Sequence, residues 1–258
     1  MSAPQQTQTG IRLDVTGLNR SFDGRPVLKD IELHVEPGEI FVIMGPSGSG
    51  KSVLLKHLIG LETPDSGEIL IAGEPITDPT VIDRYRTAMV FQSGALLSSL
   101  TVGQNVGLYL TEHQLKSPDE VKEIVRQNLA LVGLENVEDQ YPSELSGGMK
   151  KRVAIARALI IEPQLIFYDE PTSELDPLMA TLVGQEIAKL NQRTGVTSVV
   201  VTHDRELALG NADRIAIIQD GKILLVGTPD ELRNDPNPFI QEFLLAGKIP
   251  QTTNDTRL

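Results

Sequence analysis

The chain has 258 residues, 40% of them hydrophobic, and a net charge of −12 from 35 acidic and 23 basic residues. This acidic balance disfavours binding to nucleic-acid phosphates, so we expect no nucleic-acid partner. The chain has no cysteine, which excludes disulfides, thiol catalysis and cysteine metal sites. No apolar run reaches the roughly 20 residues that span a bilayer, so we expect a soluble chain that meets membranes only through a partner.

Patterning along the chain predicts one α/β domain over residues 11–246. The polar, aperiodic ends, residues 1–10 and 247–258, are predicted to be a disordered N-terminus and a flexible tail. Near the start, apolar and polar residues alternate from Ile31 to Val35, which is typical of a half-buried strand in an antiparallel sheet. A mainly helical insertion is predicted around residues 95–160.

Three continuous apolar runs, at residues 40–44, 165–168 and 198–201, indicate parallel strands that are covered on both faces. Helices are predicted between them. One begins with a capping box at Ser117, and another ends at Gly195. The second helix carries the apolar residues Leu178, Leu182, Val183, Ile187 and Leu190. Near the end of the chain, Asp220-Gly221 between two apolar runs predicts a hairpin.

A phosphate-binding loop is predicted directly after the run at 40–44, where a G-x-x-x-x-G-K-S pattern opens an apolar helix. The pattern consists of Gly45, Pro46, Ser47, Gly48, Ser49, Gly50, Lys51 and Ser52. Its glycines let the backbone curl so that N–H groups face phosphate oxygens, and the helix N-terminus adds positive potential. In this motif Lys51 reaches the β- and γ-phosphates and Ser52 ligates Mg²⁺. A flexible turn, the alternative, is disfavoured by the strand and helix on either side.

Two carboxylates, Asp169 and Glu170, end the apolar run at 165–168. A strand terminus places Asp169 beside the phosphate loop, where it would hold a water of the Mg²⁺ shell. Glu170 would then polarise an attacking water as general base.

A second anion-binding helix terminus is predicted at Ser146-Gly147-Gly148. Ser146 is expected to be the N-cap, and two glycines weaken a helix start unless a ligand approaches the backbone closely. An ordinary capped helix is the alternative. The basic run that follows, residues 150–152, is predicted to be a solvated helix face.

Two further side chains are candidate site residues because each follows an apolar strand. His203 follows the run at 198–201, and a neutral imidazole there would donate a hydrogen bond to a γ-phosphate. Gln92 follows another short apolar run, and its amide would ligate Mg²⁺ and sense a partner.

In this order the motifs resemble those of the ATP-binding cassette (ABC) family of ATPases, and the likeness covers nearly the whole chain. The resemblance implies an α/β fold with a P-loop NTPase core of RecA-like type. To this core the family adds an N-terminal antiparallel β subdomain and an α-helical insertion.

The resemblance also implies roles for individual residues. ATP is bound by the loop at 45–52, by the signature at 146–148, and by Phe22, which lies where the family stacks a ring on adenine. The catalytic residues it implies are Glu170, His203 and Lys51. The Mg²⁺ ligands it implies are Ser52, Gln92 and Asp169.

Three residues depart from the family pattern. Phe22 replaces the frequent tyrosine but still supplies a ring face. Met149 stands where glutamine is commonest, and neither it nor Glu174 removes a phosphate contact. Glu174 stands where a small residue is usual, and it adds a carboxylate that would retune hydrolysis.

The family likeness implies partners. A second copy would complete a dimer around two ATP molecules, and a polytopic membrane permease would use the energy of ATP hydrolysis for transport. Segments 91–96 and 141–152 are similar to ATPases of the maintenance-of-lipid-asymmetry and chloroplast lipid-transport type. This narrower likeness implies phospholipid transport, a lipid-binding substrate protein and a peripheral site on the cytoplasmic face of the plasma (inner) membrane.

Other functions stay open at this point. An ATPase of iron–sulfur cluster assembly has the same motifs and a similar size, and an importer of a non-lipid solute has the same parts. A small-molecule P-loop kinase would leave the 145–149 motif without a purpose.

Overall fold

The computed structural model describes residues 10–245. The predicted disordered N-terminus lies outside these residues except for Gly10, which packs closely against the backbone of Gly38. The predicted C-terminal tail also lies outside them. None of the helices in the described range is long and apolar enough to cross a membrane.

Ten strands are present in the described residues. They are β1 (Leu13–Phe22), β2 (Arg25–Val35), β3 (Ile40–Met44), β4 (Ser66–Ile71), β5 (Glu74–Pro75), β6 (Thr87–Val90), β7 (Leu165–Asp169), β8 (Thr197–Thr202), β9 (Arg214–Gln219) and β10 (Lys222–Gly227). The α-helices of the described residues are α1 (Lys51–Leu58), α2 (Thr80–Arg84), α3 (Val102–Glu112), α4 (Pro118–Leu131), α5 (Gly147–Leu159), α6 (Pro177–Thr194), α7 (Arg205–Asn211), α8 (Pro229–Asn234) and α9 (Pro238–Leu245).

The strands form two sheets. The first is antiparallel in the order β2-β1-β4-β5, and the second has the order β10-β9-β3-β8-β7-β6. In the second sheet β6, β7, β8, β3 and β9 are parallel, and β10 closes one edge as an antiparallel hairpin with β9. The predicted α/β core with an N-terminal antiparallel sheet is confirmed.

Two hydrophobic cores lie on the two faces of the parallel sheet. Strand β3 is buried throughout because Ile40, Val42 and Met44 face one core while Phe41 and Ile43 face the other. The first core is covered by α3 to α7, and the second by α1 and the antiparallel sheet. Burial on both faces explains the continuous apolar runs of the sequence.

The predicted helix start and stop signals are confirmed. Ser117 caps α4 in a reciprocal capping box with Glu120, and Gly195 ends α6 with a φ of 68°. In α6, Val183, Ile187 and Leu190 are buried. Leu178 and Leu182 of the same helix point outward, with 70% and 41% of their surface exposed.

The β9–β10 turn joins the two sheets to the phosphate loop. The Gly221 N–H donates to the carbonyl oxygen of Ser49 at 3.1 Å, and the Lys29 N–H donates to that of Gly221 at 2.8 Å. Gly221 has a φ of 77°, and a Cβ there would lie 2.1 Å from the carbonyl oxygen of Val27. Only glycine meets both conditions.

We predict that Gly221→Ala lowers the free energy of unfolding by about 3 kcal/mol, because it adds a backbone clash to an unfavourable φ. Gly73 provides a matched control, since its φ is 81° but a Cβ added there would have no atom within 4 Å. Gly73→Ala should cost about 1–2 kcal/mol, from backbone conformation alone. Urea unfolding of both variants measures the difference, and equal losses would contradict the role given to Gly221.

Candidate functional site

The phosphate loop, residues 45–52, connects the buried strand β3 to α1. Gly48 and Gly50 adopt φ values of 80° and 107°, which residues with a side chain rarely adopt. The loop curls over the N-terminus of α1, whose first N–H groups lack partners within the helix. This arrangement favours an anion at the helix start.

Lys51 begins α1, and its ammonium group folds back over the loop. The residue is 8% exposed, and Nζ donates to the carbonyl oxygens of Gly45 at 2.8 Å and Pro46 at 3.1 Å. Burial lowers the pKa of Lys51, while the charges of Glu170 and Asp169 oppose that shift. The lysine therefore links the loop electrostatically to the acid pair.

The loop fits a polyphosphate chemically. Ser49 is 4% exposed, and its buried Oγ has no hydrogen-bond partner among the described residues. A buried hydroxyl without a partner costs about 1–3 kcal/mol. A phosphate oxygen would supply the missing acceptor, and the exposed Ser52 lies at the same helix start.

The acid pair, Asp169 and Glu170, lies at the end of β7. Burial, together with the neighbouring charge of Glu170, raises the pKa of Asp169, and Lys151 and Lys51 oppose the shift. A divalent cation would relieve this cost. Within residues 10–245 no three His, Cys, Asp or Glu side chains form a cluster that could hold a metal, and Mg²⁺ is commonly held by one or two carboxylates together with phosphate and water.

Three contacts converge on one oxygen of Glu170. Its Oε2 accepts hydrogen bonds from the Thr202 hydroxyl at 3.1 Å, the His203 N–H at 3.3 Å and the His203 ring Nδ1 at 2.9 Å. The other oxygen, Oε1, makes no hydrogen bond to any described residue. The carboxylate is therefore oriented through Oε2, and Oε1 is available to a water.

The contact between His203 and Glu170 bears on which ring nitrogen of His203 carries the hydrogen. A carboxylate facing Nδ1 favours the tautomer with the hydrogen on Nδ1, and in a neutral ring of that tautomer Nε2 is an acceptor. The predicted donation from a neutral imidazole to a γ-phosphate would therefore need the ring to give up its bond to Glu170 or to change tautomer. Donation to both groups at once requires the imidazolium form.

Sheet topology brings these motifs together. The phosphate loop follows β3, His203 follows β8, the acid pair ends β7 and Gln92 lies two residues beyond β6. These strands are parallel neighbours in the order β3-β8-β7-β6, so their carboxyl ends form a single edge, here called the carboxyl edge. The side chain of Gln92 is exposed there.

Phe22 lies on the other sheet, at the end of β1, and is 38% exposed. The Arg20 guanidinium lies 4.6 Å from the ring centroid, and Asp65 holds the guanidinium at 3.0 Å. This cation–π contact supports the ring on which an adenine would stack.

The signature tip, Ser146, Gly147 and Gly148, begins α5 in the helical insertion. Ser146 is the N-cap, and its hydroxyl accepts from the Met149 N–H at 3.3 Å. A Cβ on Gly148 would lie 2.3 Å from Cε of Met179, the end of a flexible side chain that can move aside, so packing against α6 does not require glycine there. No hydrogen bond in the described part of the chain joins the tip to the phosphate loop.

The prediction that residues 150–152 form a solvated face is wrong. Lys151 is 6% exposed, and its Nζ donates to the Gln92 carbonyl oxygen and, at 3.3 Å, to the Ser173 hydroxyl. Arg152 donates to the carbonyl oxygen of Gly133 at 3.1 Å. The sequence offered no signal for this burial, since a basic run after a helix cap usually faces solvent.

Comparison with known families identifies this arrangement. The family model described as "ABC transporter" matches residues 28–173, which include the phosphate loop, the signature tip and the acid pair. The chain belongs to the ABC transporter family. As a member of this family it binds ATP and is an ATPase, as the motif order indicates.

Several curated ABC relatives align with most of the chain. The sulfate/thiosulfate import ATP-binding protein CysA of Nitrosomonas europaea is 42% identical over 236 residues, which are 90% of this chain and 65% of that protein. The probable ribonucleotide transport ATP-binding protein mkl of Mycobacterium tuberculosis (strain ATCC 25618 / H37Rv) is 38% identical, over 93% of this chain and 68% of mkl. The chloroplastic protein TRIGALACTOSYLDIACYLGLYCEROL 3 of Arabidopsis thaliana is 38% identical, over 92% of this chain and 74% of that protein.

Solved ABC structures share the fold. The cbiO1 protein of Clostridium perfringens, described as part of the transporter complex cbiONQ, superposes with a TM-score of 0.80 at 33% identity, covering 86% of this chain and 90% of cbiO1. The cassette MJ0796, described as a dimer in a post-hydrolysis state with ADP and Pi, gives a TM-score of 0.75 at 34% identity, covering 84% of this chain and 98% of that one.

We predict that Asp169→Asn raises the thermal stability of the nucleotide-free protein at pH 7.5. Because burial raises the folded-state pKa of Asp169, its ionisation destabilises the fold, and this loss grows as the pH rises from the usual carboxyl range through the raised value. The advantage of the variant should therefore shrink as the pH falls toward about 4. The exposed Asp23→Asn is the control, and an Asp169→Asn protein less stable than its parent at pH 7.5 would oppose this account.

Proposed function

We propose that two copies of this chain close around two ATP molecules and power a membrane transporter. The observation that carries the proposal is the separation of the two anion sites: the phosphate loop lies at the carboxyl edge, whereas the signature tip begins α5 of the insertion. A two-fold arrangement lets each tip cover the loop of the other copy. The dimeric state described for MJ0796 supports this arrangement.

The chain's own groups divide the work of hydrolysis. Lys51 would exchange its contacts with the loop carbonyls for the β- and γ-phosphates. Oε1 of Glu170 would accept a proton from the attacking water, while Thr202 and His203 hold Oε2 in place. A protonated His203 would donate Nε2–H to the γ-phosphate.

Mg²⁺ fits the same edge. Ser52, Gln92 and Asp169 would hold the ion directly or through water, and a cation would offset the burial penalty on the Asp169 carboxylate. When bound, the ion supplies positive charge to the phosphate oxygens. Loss of the γ-phosphate after hydrolysis removes contacts across the dimer and lets it open.

For the transported substrate we propose phospholipid or another lipid, moved by a polytopic permease with a lipid-binding substrate protein in the complex. The chain would sit as a peripheral subunit on the cytoplasmic face of the plasma (inner) membrane. The relative TRIGALACTOSYLDIACYLGLYCEROL 3, which is named for a galactolipid, supports a lipid. The 91–96 and 141–152 segments support the same class.

Import of a small anion is the second candidate. The 42% identity with CysA, a protein named for sulfate and thiosulfate import, favours it. The relatives CysA and mkl are both named for transport, which favours either transporter over iron–sulfur assembly.

We predict that Glu170→Gln lowers the turnover of ATP by about 10²–10⁴-fold, the usual effect of removing a general base. Nucleotide affinity should persist, so the variant should accumulate as an ATP-bound dimer. Phosphate release and light scattering with size-exclusion chromatography measure the two effects. Turnover at the parental rate would refute the base assignment, and a monomer at saturating ATP would refute the dimer.

We predict that the tagged chain, purified from native membranes in mild detergent, carries a polytopic membrane protein and an enriched phospholipid. Protein and lipid mass spectrometry measure both, with an untagged preparation as the control. A polytopic partner without enriched lipid, in a complex that binds sulfate, would favour the anion importer. A soluble scaffold as the sole partner would contradict transport.

A further inference from the structure

Lys151 is a charged side chain that the reaction scheme above leaves without a role. It lies one turn into α5, three residues after the end of the signature tip, and is 6% exposed. Burying an ammonium group is costly unless its donors are satisfied. The cost indicates that this side chain serves a purpose that an apolar residue of similar length cannot.

The contacts of Lys151 join two loops of the carboxyl edge. Nζ donates to the backbone carbonyl of Gln92 and to Oγ of Ser173 at 3.3 Å. The Ser173 hydroxyl in turn donates to the carbonyl oxygen of Glu170 at 2.9 Å, and the Ser173 N–H donates to the same oxygen at 3.1 Å. A continuous chain of hydrogen bonds therefore runs from α5 to the backbone of Glu170.

The backbone of Glu170 needs such support. Its φ is 45°, in the left-handed region that residues other than glycine rarely adopt. A sparsely populated conformation persists only where surrounding contacts impose it. The Ser173 contacts hold the carbonyl of this residue from one side, and the Glu170 N–H donates to the carbonyl oxygen of Val201 at 2.8 Å on the other.

The same helix carries another basic residue, the half-buried Arg157, that provides a contrast. Arg157 donates to the carbonyl oxygens of Gly94 at 2.8 Å and Ala95 at 2.7 Å. Arg157 thus binds only the loop after β6, whereas Lys151 binds both that loop and Ser173 in the segment after β7. The carboxylates of Glu174, Glu170 and Asp169 favour the charged form of Lys151, although burial lowers its pKa.

We propose that Lys151 is a positioning residue for ATP hydrolysis, which aligns Glu170 through Ser173 and couples that alignment to Gln92 and the signature helix. The inference rests on the proposed role of Glu170 as general base. In this scheme Lys151 touches neither ATP nor water. Lys151 stabilises the backbone conformation from which the Glu170 carboxylate projects. Replacing Lys151 should therefore lower the turnover of ATP and leave ATP binding unchanged.

The test uses the full chain and compares Lys151→Met, Lys151→Gln and Ser173→Ala. Lys151→Met keeps the length of the side chain but removes its donors, and should lower kcat by about 10- to 100-fold with KM within about twofold, because small misplacements of a catalytic group have effects of this size. Lys151→Gln keeps a donor and should recover part of the loss. Lys122→Met, on the exposed surface of α4, is the control and should leave both constants unchanged.

A double-mutant cycle separates this role from general destabilisation. If the contact acts through Ser173, adding Ser173→Ala to Lys151→Met should lower kcat little further, whereas independent effects would multiply. Thermal unfolding and fluorescent-nucleotide binding accompany each variant. If Lys151→Met fails to fold, the same cycle is run with Lys151→Gln.

Three results would overturn the proposal: multiplicative losses in kcat, a loss confined to KM, or unchanged turnover in Lys151→Met. Glu170→Gln, measured in parallel, distinguishes this failure from failure of the proposed function. If Glu170→Gln turns over ATP at the parental rate, the assignment of Glu170 as general base is wrong. If Glu170→Gln shows the expected loss of turnover but Lys151→Met turns over ATP at the parental rate, only the positioning role is rejected.

Discussion

The parallel register of the central strands controls where the chemistry of this chain takes place. Met44 pairs with Thr202, Asp169 with Val201, and Val90 lies beside Tyr168. Because parallel strands end at the same edge, each motif that follows a strand enters the same small volume. The order of the strands, more than the conformation of the loops, therefore brings together residues that are far apart in sequence. The β9–β10 turn adds a brace, since its glycine contacts the phosphate loop directly.

Gathering these groups has an electrostatic cost. Lys51 and Lys151 are both buried and both interact electrostatically with the acid pair, and burial opposes the charged form of each lysine and of Asp169. Without a ligand, the attraction between lysines and acids offsets only part of that cost. A protein that keeps such a site trades stability for function. Bound nucleotide and ion would restore stability by linkage, since they bind the folded state alone.

The signature tip is a capped helix start with two glycines. A Cβ on Gly148 would come close only to the flexible end of Met179 in α6, so packing within one chain does not explain the glycine there. The capped helix start beside it still offers N–H groups to an anion. The insertion that carries this tip also holds the loop after β6 through Lys151 and Arg157. The insertion is thus connected to the carboxyl edge by hydrogen bonds.

Local signals in the sequence were sufficient for much of this molecule. The phosphate loop, the capping box at Ser117 and the Asp220-Gly221 hairpin depend on residues close together in the chain, so propensity and backbone conformation determined them. Only the tertiary structure decided which side chains of a helix are buried. Leu178 faces outward and Lys151 inward, because helix orientation depends on packing against elements distant in sequence. The tertiary structure likewise decided that the ring of His203 contacts Glu170, which is 33 residues away in the chain.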